Sequence, residues 1–182
     1  MNCMATQRGL LLINTGAGKG KTTAALGTAL RAAGDGLKVL FLQFIKSGET
    51  YGEIKAAKLL PNLEIRPMGK GFIYHNQEVT EEKLKAHQEA AKEAWAMLEK
   101  EVLSDRWDLV VLDEINYAIH FGLVSVDKVL DLLKKRPRRL HVILTGRCAP
   151  EELVALADTV TEMKLVKHAY QKGIKAVRGI EF

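Results

Sequence analysis

The chain has 182 residues, of which 27 are Lys or Arg and 22 are Asp or Glu, so the formal net charge is +5. With 47% apolar residues and only 4 prolines, the composition excludes intrinsic disorder and predicts one folded domain over residues 1–182. The longest stretch without a charge, 115–126, is too short for a membrane span of about 20 apolar residues. The first residues include no apolar stretch of signal-peptide length, so we expect a soluble, cytoplasmic protein without a membrane partner.

The surplus of basic charge is compatible with nucleic acid or with a small polyanionic ligand. Between residues 81 and 103, however, lysines alternate with glutamates, which is typical of a solvated helix face. We therefore expect the polyanion to be a small molecule and expect no nucleic-acid partner.

Strands and helices are predicted to alternate along the chain. Short apolar runs predict buried strands at 10–15, 39–45, 63–66, 109–112 and 141–145, with one or two more at 160–163. Helices are predicted at 22–33, 53–60 and 81–103, and from Pro150 to about residue 157. A further helix, which Ser125 can cap and Pro137 stops, is predicted between the runs 109–112 and 141–145. Strands that are apolar along their length indicate a mainly parallel sheet with helices on both faces.

A glycine-rich basic loop follows the first predicted strand and precedes the first helix. It consists of Gly16, Ala17, Gly18, Lys19, Gly20, Lys21, Thr22 and Thr23. Glycines allow a loop to fold around phosphates with its N–H groups turned inward, Lys21 adds a charge, and Thr22 offers a hydroxyl to a divalent cation. The usual motif has its first glycine at position 15, where this chain has Thr15, so the loop is a variant.

Two further strand ends support a nucleotide site. Residues 109–112 lead into Asp113 and Glu114, where nucleotide-binding sheets carry acidic groups for a metal, and Arg147 follows the strand 141–145. Asp113 and Glu114 would point to opposite sides if the strand continued, so we expect one of them to face the metal. The residues predict an α/β, single-domain, P-loop NTPase-like (RecA-like) fold that binds a magnesium nucleotide, and they leave the reaction open.

The chain resembles the P-loop ATP:corrinoid adenosyltransferases, which act on cob(I)alamin or cob(I)yrinic acid a,c-diamide. The resemblance covers nearly the whole chain, although Ala17 stands where related sequences often have Asn. The matching segments are Thr15-Gly16-x-Gly18-Lys19-Gly20-Lys21-Thr22-Thr23-Ala24-Ala25, Gln43-Phe44-Ile45-Lys46, Gly71-Phe72, Val111-Leu112-Asp113-Glu114, Thr145-Gly146-Arg147, Ala157-Asp158-x-Val160-x-Glu162, Val166-Lys167-His168-Ala169 and Gly179-Ile180-Glu181-Phe182.

The resemblance implies a reaction and its participants. Co(I) of the corrinoid substrate would attack the 5′ carbon of ATP, which is the co-substrate, and release triphosphate in adenosylcobalamin synthesis or salvage. ATP would lie across the loop in the reverse sense to common P-loop enzymes, with Mg²⁺ or Mn²⁺ bound. The resemblance also implies a homodimer and an electron donor such as a flavoprotein.

The resemblance assigns roles to particular residues. Residues 16–23 and Arg147 would bind the nucleotide, Lys21 would neutralise the charge of the leaving group, and Thr22 with Glu114 would hold the metal. Phe72 and Tyr74 would occupy the lower face of the corrin, displace its axial ligand and ease the reduction of Co(II).

Two other functions stay open from the residues alone. One is an ATPase or small-molecule kinase in which Glu114 positions water or a hydroxyl. The other is a RecA-like nucleic-acid-binding ATPase, which the alternating charges and the lack of an aromatic and basic patch disfavour.

Overall fold

Six strands form one sheet in the computed structural model, which describes residues 8–46, 48, 51–69 and 81–181, without the side chains of 81–88. The strand order is β3-β2-β4-β5-β1-β6, and every neighbouring pair is parallel. The strands are β1 (Leu11–Thr15), β2 (Val39–Gln43), β3 (Leu63–Pro67), β4 (Leu109–Asp113), β5 (His141–Thr145) and β6 (Thr159–Glu162). The predicted mainly parallel sheet is confirmed.

Helices connect these strands. They are α1 (Lys21–Gly34), α2 (Gly52–Ala57), α3 (Glu81–Leu103), α4 (Ile115–His120), α5 (Val126–Lys135) and α6 (Glu151–Leu156), followed by a short 3₁₀ helix, Ala169–Lys172. Ser125 caps α5 as predicted, because its side chain accepts a hydrogen bond from the Lys128 N–H. No helix among the described residues combines the length and the apolar composition that crossing a bilayer requires.

The central strands are buried on both faces of the sheet. Successive side chains of a strand point to opposite faces, so β4 sends Val110 and Leu112 toward α3 and α5, and Leu109 and Val111 toward α1. Alanines on the inner side of α1, such as Ala25, let that helix lie close to the sheet. This packing explains why the strand sequences are apolar along their length.

Several boundaries differ from the predictions. The second strand ends at Gln43 and not at residue 45, and the helix predicted at 53–60 ends at Ala57. The last apolar run forms one strand, β6. The short helix α4 was not predicted, because its six residues are too few to show a helical period and the residue before it, Glu114, adopts a left-handed conformation with φ 62°.

Candidate nucleotide site

The loop between β1 and α1 encloses the side chain of Lys21. Lys21 is the first residue of α1, and its Nζ donates hydrogen bonds to the carbonyl oxygens of Gly16 at 2.9 Å and Gly18 at 2.7 Å. Burial lowers the pKa of Lys21 from its usual value, while the nearby carboxylate of Glu114 opposes that shift. A desolvated ammonium group in this position interacts more strongly with a phosphate than one in water would.

The loop requires glycine for two different physical reasons. A Cβ on Gly16 or on Gly18 would lie 2.6 Å from the carbonyl oxygen of Met163, so both positions require glycine because the backbone after β6 packs against them. Gly20 has space for a Cβ but has φ +115°, a conformation that other residues rarely adopt. The sequence-based explanation, special backbone conformations and close approach to phosphates, agrees with Gly20 but did not predict the packing of Met163 against Gly16 and Gly18.

One N–H of the loop does not point toward an anion. The Gly18 N–H donates to the Met163 carbonyl oxygen at 2.6 Å. The expectation that the N–H groups of the loop turn inward was wrong for this residue, because the backbone just after β6 accepts its hydrogen bond. Ala17 is exposed at the tip of the loop.

Thr22 contacts Asp113. The Thr22 hydroxyl donates to Asp113 Oδ1 at 2.8 Å, and the Thr145 hydroxyl donates to the same oxygen at 2.7 Å. Asp113 is 0% exposed, and burial raises the pKa of its carboxyl group against the effect of these two hydrogen bonds. Its other oxygen, Oδ2, is buried without a hydrogen-bond partner among the described residues. The residues alone left open whether Asp113 or Glu114 faces the metal, and the family resemblance assigned the metal to Thr22 and Glu114.

Glu114 lies in the same cleft as Lys21 because β4 ends at Asp113. The left-handed turn at Glu114 starts α4, so Asp113 and Glu114 do not alternate as they would in a longer strand. The Glu114 N–H donates to the Thr145 hydroxyl at 2.9 Å, which holds the turn in place. Burial and the neighbouring Asp113 raise the pKa of Glu114 to about 7, although Lys21 and Arg147 oppose the shift.

Arg147 follows β5 at the edge of the sheet where Lys21 and Glu114 lie, and its part in nucleotide binding stays a prediction. It is exposed and follows Gly146, whose φ of +128° turns the chain after β5. Its positive charge helps to lower the pKa of Lys21 and partly opposes the rise in the pKa of Glu114. The structure therefore brings residues from the ends of three strands to one edge of the sheet, where parallel α/β folds bind their ligands.

A cleft of about 870 Å³ runs along this edge. The sequence-predicted residues that line it are Lys19, Gly20, Lys21, Thr22, Thr23 and Glu114. Phe72 and Tyr74, the two predicted corrin-contacting residues, lie outside the described residues. The cleft has enough volume for a nucleotide.

The wall that includes Lys46 was missed by sequence reasoning. Lys46 Nζ lies 2.6 Å from Glu53 Oε1 and 4.6 Å from the ring centre of Tyr51. Gln43, at the end of β2, donates to Glu53 Oε1 at 3.3 Å. Burial is the largest single influence on Glu53 and opposes its ionisation. The hydrogen bond and the charge of Lys46, a backbone hydrogen bond and the hydrogen bond from Gln43 together outweigh burial and lower the pKa of that carboxyl group. The sequence signal was available, because Lys46 follows a predicted strand at the same edge as Asp113.

The donors around Thr22 suit a small divalent cation. Mg²⁺ is usually bound by one or two protein oxygens together with phosphate oxygens and water. The Thr22 hydroxyl, the Glu114 carboxylate and the Oδ2 of buried Asp113, which has no hydrogen-bond partner in the described part of the chain, supply oxygens of this kind. Among the described residues, no three His, Cys, Asp or Glu side chains form a metal cluster, so such a cation would depend on the nucleotide for further ligands.

Comparison with known proteins decides the family. The family model of the ATP:corrinoid adenosyltransferases BtuR/CobO/CobP matches residues 7–182. The chain belongs to this family. It is 41% identical over 177 residues to the corrinoid adenosyltransferase of Pseudomonas aeruginosa, covering 97% of this chain and 85% of that protein. It is 38% identical to the corrinoid adenosyltransferase of Escherichia coli K12 and to the corrinoid adenosyltransferase CobA of Salmonella typhimurium, in each case covering 97% of this chain and 87% of the relative.

Membership of the ATP:corrinoid adenosyltransferase family agrees with the geometry of the cleft. ATP is a polyanion, and the lysine-centred loop presents positive charge to a cleft that also contains carboxylates for a cation. The resemblance inferred from the sequence is confirmed.

Proposed function

We propose that this protein transfers the 5′-deoxyadenosyl group of ATP to Co(I) of a corrinoid and releases triphosphate. The observation that carries the proposal is the buried Lys21 inside the phosphate loop, at the edge of an 870 Å³ cleft in a chain of this family. ATP would place its triphosphate along residues 16–23 and its C5′ toward the corrinoid.

The reaction balances without a catalytic base. The electron pair of Co(I) forms the cobalt–carbon bond while the C5′–oxygen bond breaks and its electrons leave on triphosphate, so cobalt becomes Co(III). No proton is transferred in this step. The protein therefore has to orient C5′ for in-line attack and stabilise the charge that develops on the leaving oxygen. Lys21, whose ammonium group lies inside the loop, would perform the second task, and Arg147 would add positive charge nearby.

A divalent cation fits beside the triphosphate. Thr22, Asp113 and Glu114 would hold it, with Asp113 added to the set inferred from the sequence because its Oδ1 accepts the Thr22 hydroxyl. Bound there, Mg²⁺ or Mn²⁺ would withdraw electron density from the phosphate oxygens and help the triphosphate to leave.

ATP hydrolysis is the second candidate function. It is favoured by Glu114, because a carboxyl group with a pKa of about 7 in a cleft beside a lysine is suited to accept a proton from water. In the transferase, the same carboxyl group would help to hold the cation and would not accept a proton.

The phosphorus product separates the two candidates. The protein is incubated anaerobically with Mg-ATP and chemically reduced cob(I)alamin or cob(I)yrinic acid a,c-diamide, and the phosphorus species and the light-sensitive cobalt–carbon bond are quantified together. Adenosyl transfer yields one triphosphate per cobalt–carbon bond. ADP with phosphate, formed at the same rate with or without corrinoid, would establish the hydrolase and refute the transferase.

Phe72 and Tyr74 are proposed to serve the reduction of Co(II) and not the transfer. Replacing both by Ala should depress activity strongly when the enzyme-bound Co(II) corrinoid must be reduced, and much less when Co(I) is supplied in excess. Equal loss in both assays at an unchanged thermal midpoint would assign the rings to substrate placement instead.

The family resemblance also supports a proposal about the location, the oligomeric state and the electron donor of the protein. We propose a cytoplasmic homodimer that receives electrons from a donor such as a flavoprotein. Light scattering of the purified protein tests the dimer, since a monomer at micromolar concentration would contradict it.

A further inference from the structure

The segment 163–181, named here the strap, follows β6 and contacts the phosphate loop twice. At its start, the Met163 carbonyl oxygen accepts the Gly18 N–H at 2.6 Å. At the other end of the strap, the carboxylate of Glu181 lies 2.6 Å from Lys19 Nζ. The same Nζ donates a hydrogen bond to the Ile180 carbonyl oxygen at 3.3 Å. The strap therefore contacts the loop through residues that are 18 positions apart in the sequence.

The strap also forms part of the cleft. Ala176, Gly179, Ile180 and Glu181 line the same 870 Å³ space as Lys21 and Glu114. A movement of the strap would change both the outline of the cleft and the support of the loop. The sequence of residues 179–182 is one of the segments that match the family, and the proposed reaction assigns no role to it.

Apart from the two hydrogen bonds that it accepts from Lys21, the loop has few side chains that could hold its shape. Between β1 and α1 it consists of Gly16, Ala17, Gly18, Lys19 and Gly20, and glycine loses more backbone freedom on ordering than any other residue. The ion pair of Lys19 with Glu181 connects the one long side chain of this segment to the strap. Lys19 is thereby directed at the strap while Lys21 occupies the interior of the loop.

We infer that Glu181 is a positioning residue for nucleotide binding: through Lys19 it holds the loop in the shape that binds triphosphate and keeps the strap along the cleft. This inference rests on the proposed function for the identity of the ligand. Glu181 does not need to touch the reacting atoms, because its effect passes through the backbone of the loop.

The sign of a charge-removing substitution distinguishes positioning from simple electrostatics. Glu181 is a negative charge next to a site for a polyanion, so its removal would strengthen triphosphate binding if only Coulomb repulsion mattered. If Glu181 positions the loop, its removal weakens binding. The ion pair is partly exposed, with side-chain exposures of 42% for Lys19 and 27% for Glu181, so we expect a modest effect, about two- to fivefold in Kd.

Calorimetric binding of inorganic triphosphate and of ATP to the intact protein tests the inference. The variants are Glu181→Gln and, as a matched control, Glu99→Gln, an exposed glutamate of α3 that does not line the cleft. We expect a two- to fivefold higher Kd for Glu181→Gln with an unchanged urea midpoint, and no change for Glu99→Gln. An unchanged or lower Kd, or a lower urea midpoint without a change in Kd, would overturn the inference.

A double-mutant cycle tests whether the effect passes through Lys19. In a Lys19→Met background, Glu181→Gln should have no further effect on the Kd for triphosphate. Additive effects would show that Glu181 acts independently of Lys19 and would also overturn the inference. These binding measurements need no corrinoid, so a wild-type protein that binds ATP but forms no cobalt–carbon bond would refute the proposed function alone.

Discussion

The centre of the sheet and the strap contribute to the same cleft but are stabilised in opposite ways. Asp113 and Thr145 end two central strands and are fully buried, so their positions are fixed by packing on all sides. In the strap, Val166 is 86% exposed and Tyr170 is 79% exposed. Its polar contacts with the loop include one backbone hydrogen bond, one ion pair and one hydrogen bond from the Lys19 side chain. The difference suggests a division of labour, in which the buried region sets the chemistry and the exposed segment adjusts binding.

The division predicts different kinetic consequences for the two regions. Substitutions of polar groups at the ends of β4 and β5 or at the start of α1 should change the rate at saturating ATP. Substitutions where the strap meets the loop should mainly change the affinity for ATP. Losses of kcat from both regions, or of affinity from both, would contradict the comparison.

The largest effect is expected from Lys21→Ala. Removing one preorganised positive charge of the enzyme that stabilises the leaving group typically costs ~3 to 4 kcal/mol, or roughly 10²-fold to 10³-fold in rate. Single-turnover adenosylation at saturating Mg-ATP measures this loss. The matched control is Lys134→Ala, an exposed lysine on α5, which should leave the rate unchanged. Near wild-type turnover for Lys21→Ala would contradict the assignment of the phosphate site to this loop.

A smaller effect, on stability, is expected from Glu114→Gln without nucleotide or metal. Because burial raises the pKa of Glu114 in the folded state from its ordinary value of 4.5 to about 7, the folded state binds a proton that the unfolded state releases between these values. The contribution of Glu114 to stability is thus present below about pH 4.5 and is lost as pH rises through 7. At pH 8 we expect the variant to be more stable than the wild type by ~1 to 2 kcal/mol, after allowing for solvent in the cleft.

Urea unfolding at pH 5 and pH 8 checks this expectation. The difference between Glu114→Gln and the wild type should be large at pH 8 and small at pH 5. A variant that is less stable than the wild type at pH 8 would show that the ionised carboxylate is well compensated by Lys21 and Arg147, contrary to the raised pKa.

The smallest effect concerns the contact between the loop and the strap. A Cβ on Gly18 would meet the Met163 carbonyl oxygen at 2.6 Å and Lys164 backbone atoms at 2.8 Å, so Gly18→Ala should cost ~1 kcal/mol or somewhat more and raise the KM for ATP. Gly27→Ala is the matched control, since Gly27 lies within α1 with nothing within 4 Å of its Cβ position. There we expect a gain of ~0.5 to 1 kcal/mol. Equal thermal midpoints for the two variants would contradict the close approach of the strap.

Sequence reasoning predicted the buried region better than the strap, for physical reasons. Apolar runs such as Leu109–Asp113 indicate buried parallel strands directly, and the glycines and lysines of residues 16–23 indicate a phosphate site. The pairing of Thr22 with Asp113 depends on where β4 ends, and a one-residue difference exchanges Asp113 and Glu114. Contacts such as Gly18 with Met163 join residues 145 positions apart, and no local pattern in the sequence reports them.

Isotopic labelling of ATP tests the central claim, attack at C5′, most directly. ATP carrying ¹⁸O in the bridge between C5′ and the α-phosphorus is converted with excess Co(I) corrinoid, and the products are analysed by mass spectrometry. Attack at carbon breaks the bond between C5′ and the labelled oxygen, so all of the label should leave in triphosphate, in an amount equal to the cobalt–carbon product. Label retained in ADP or in adenosine would show attack at phosphorus and would contradict the account.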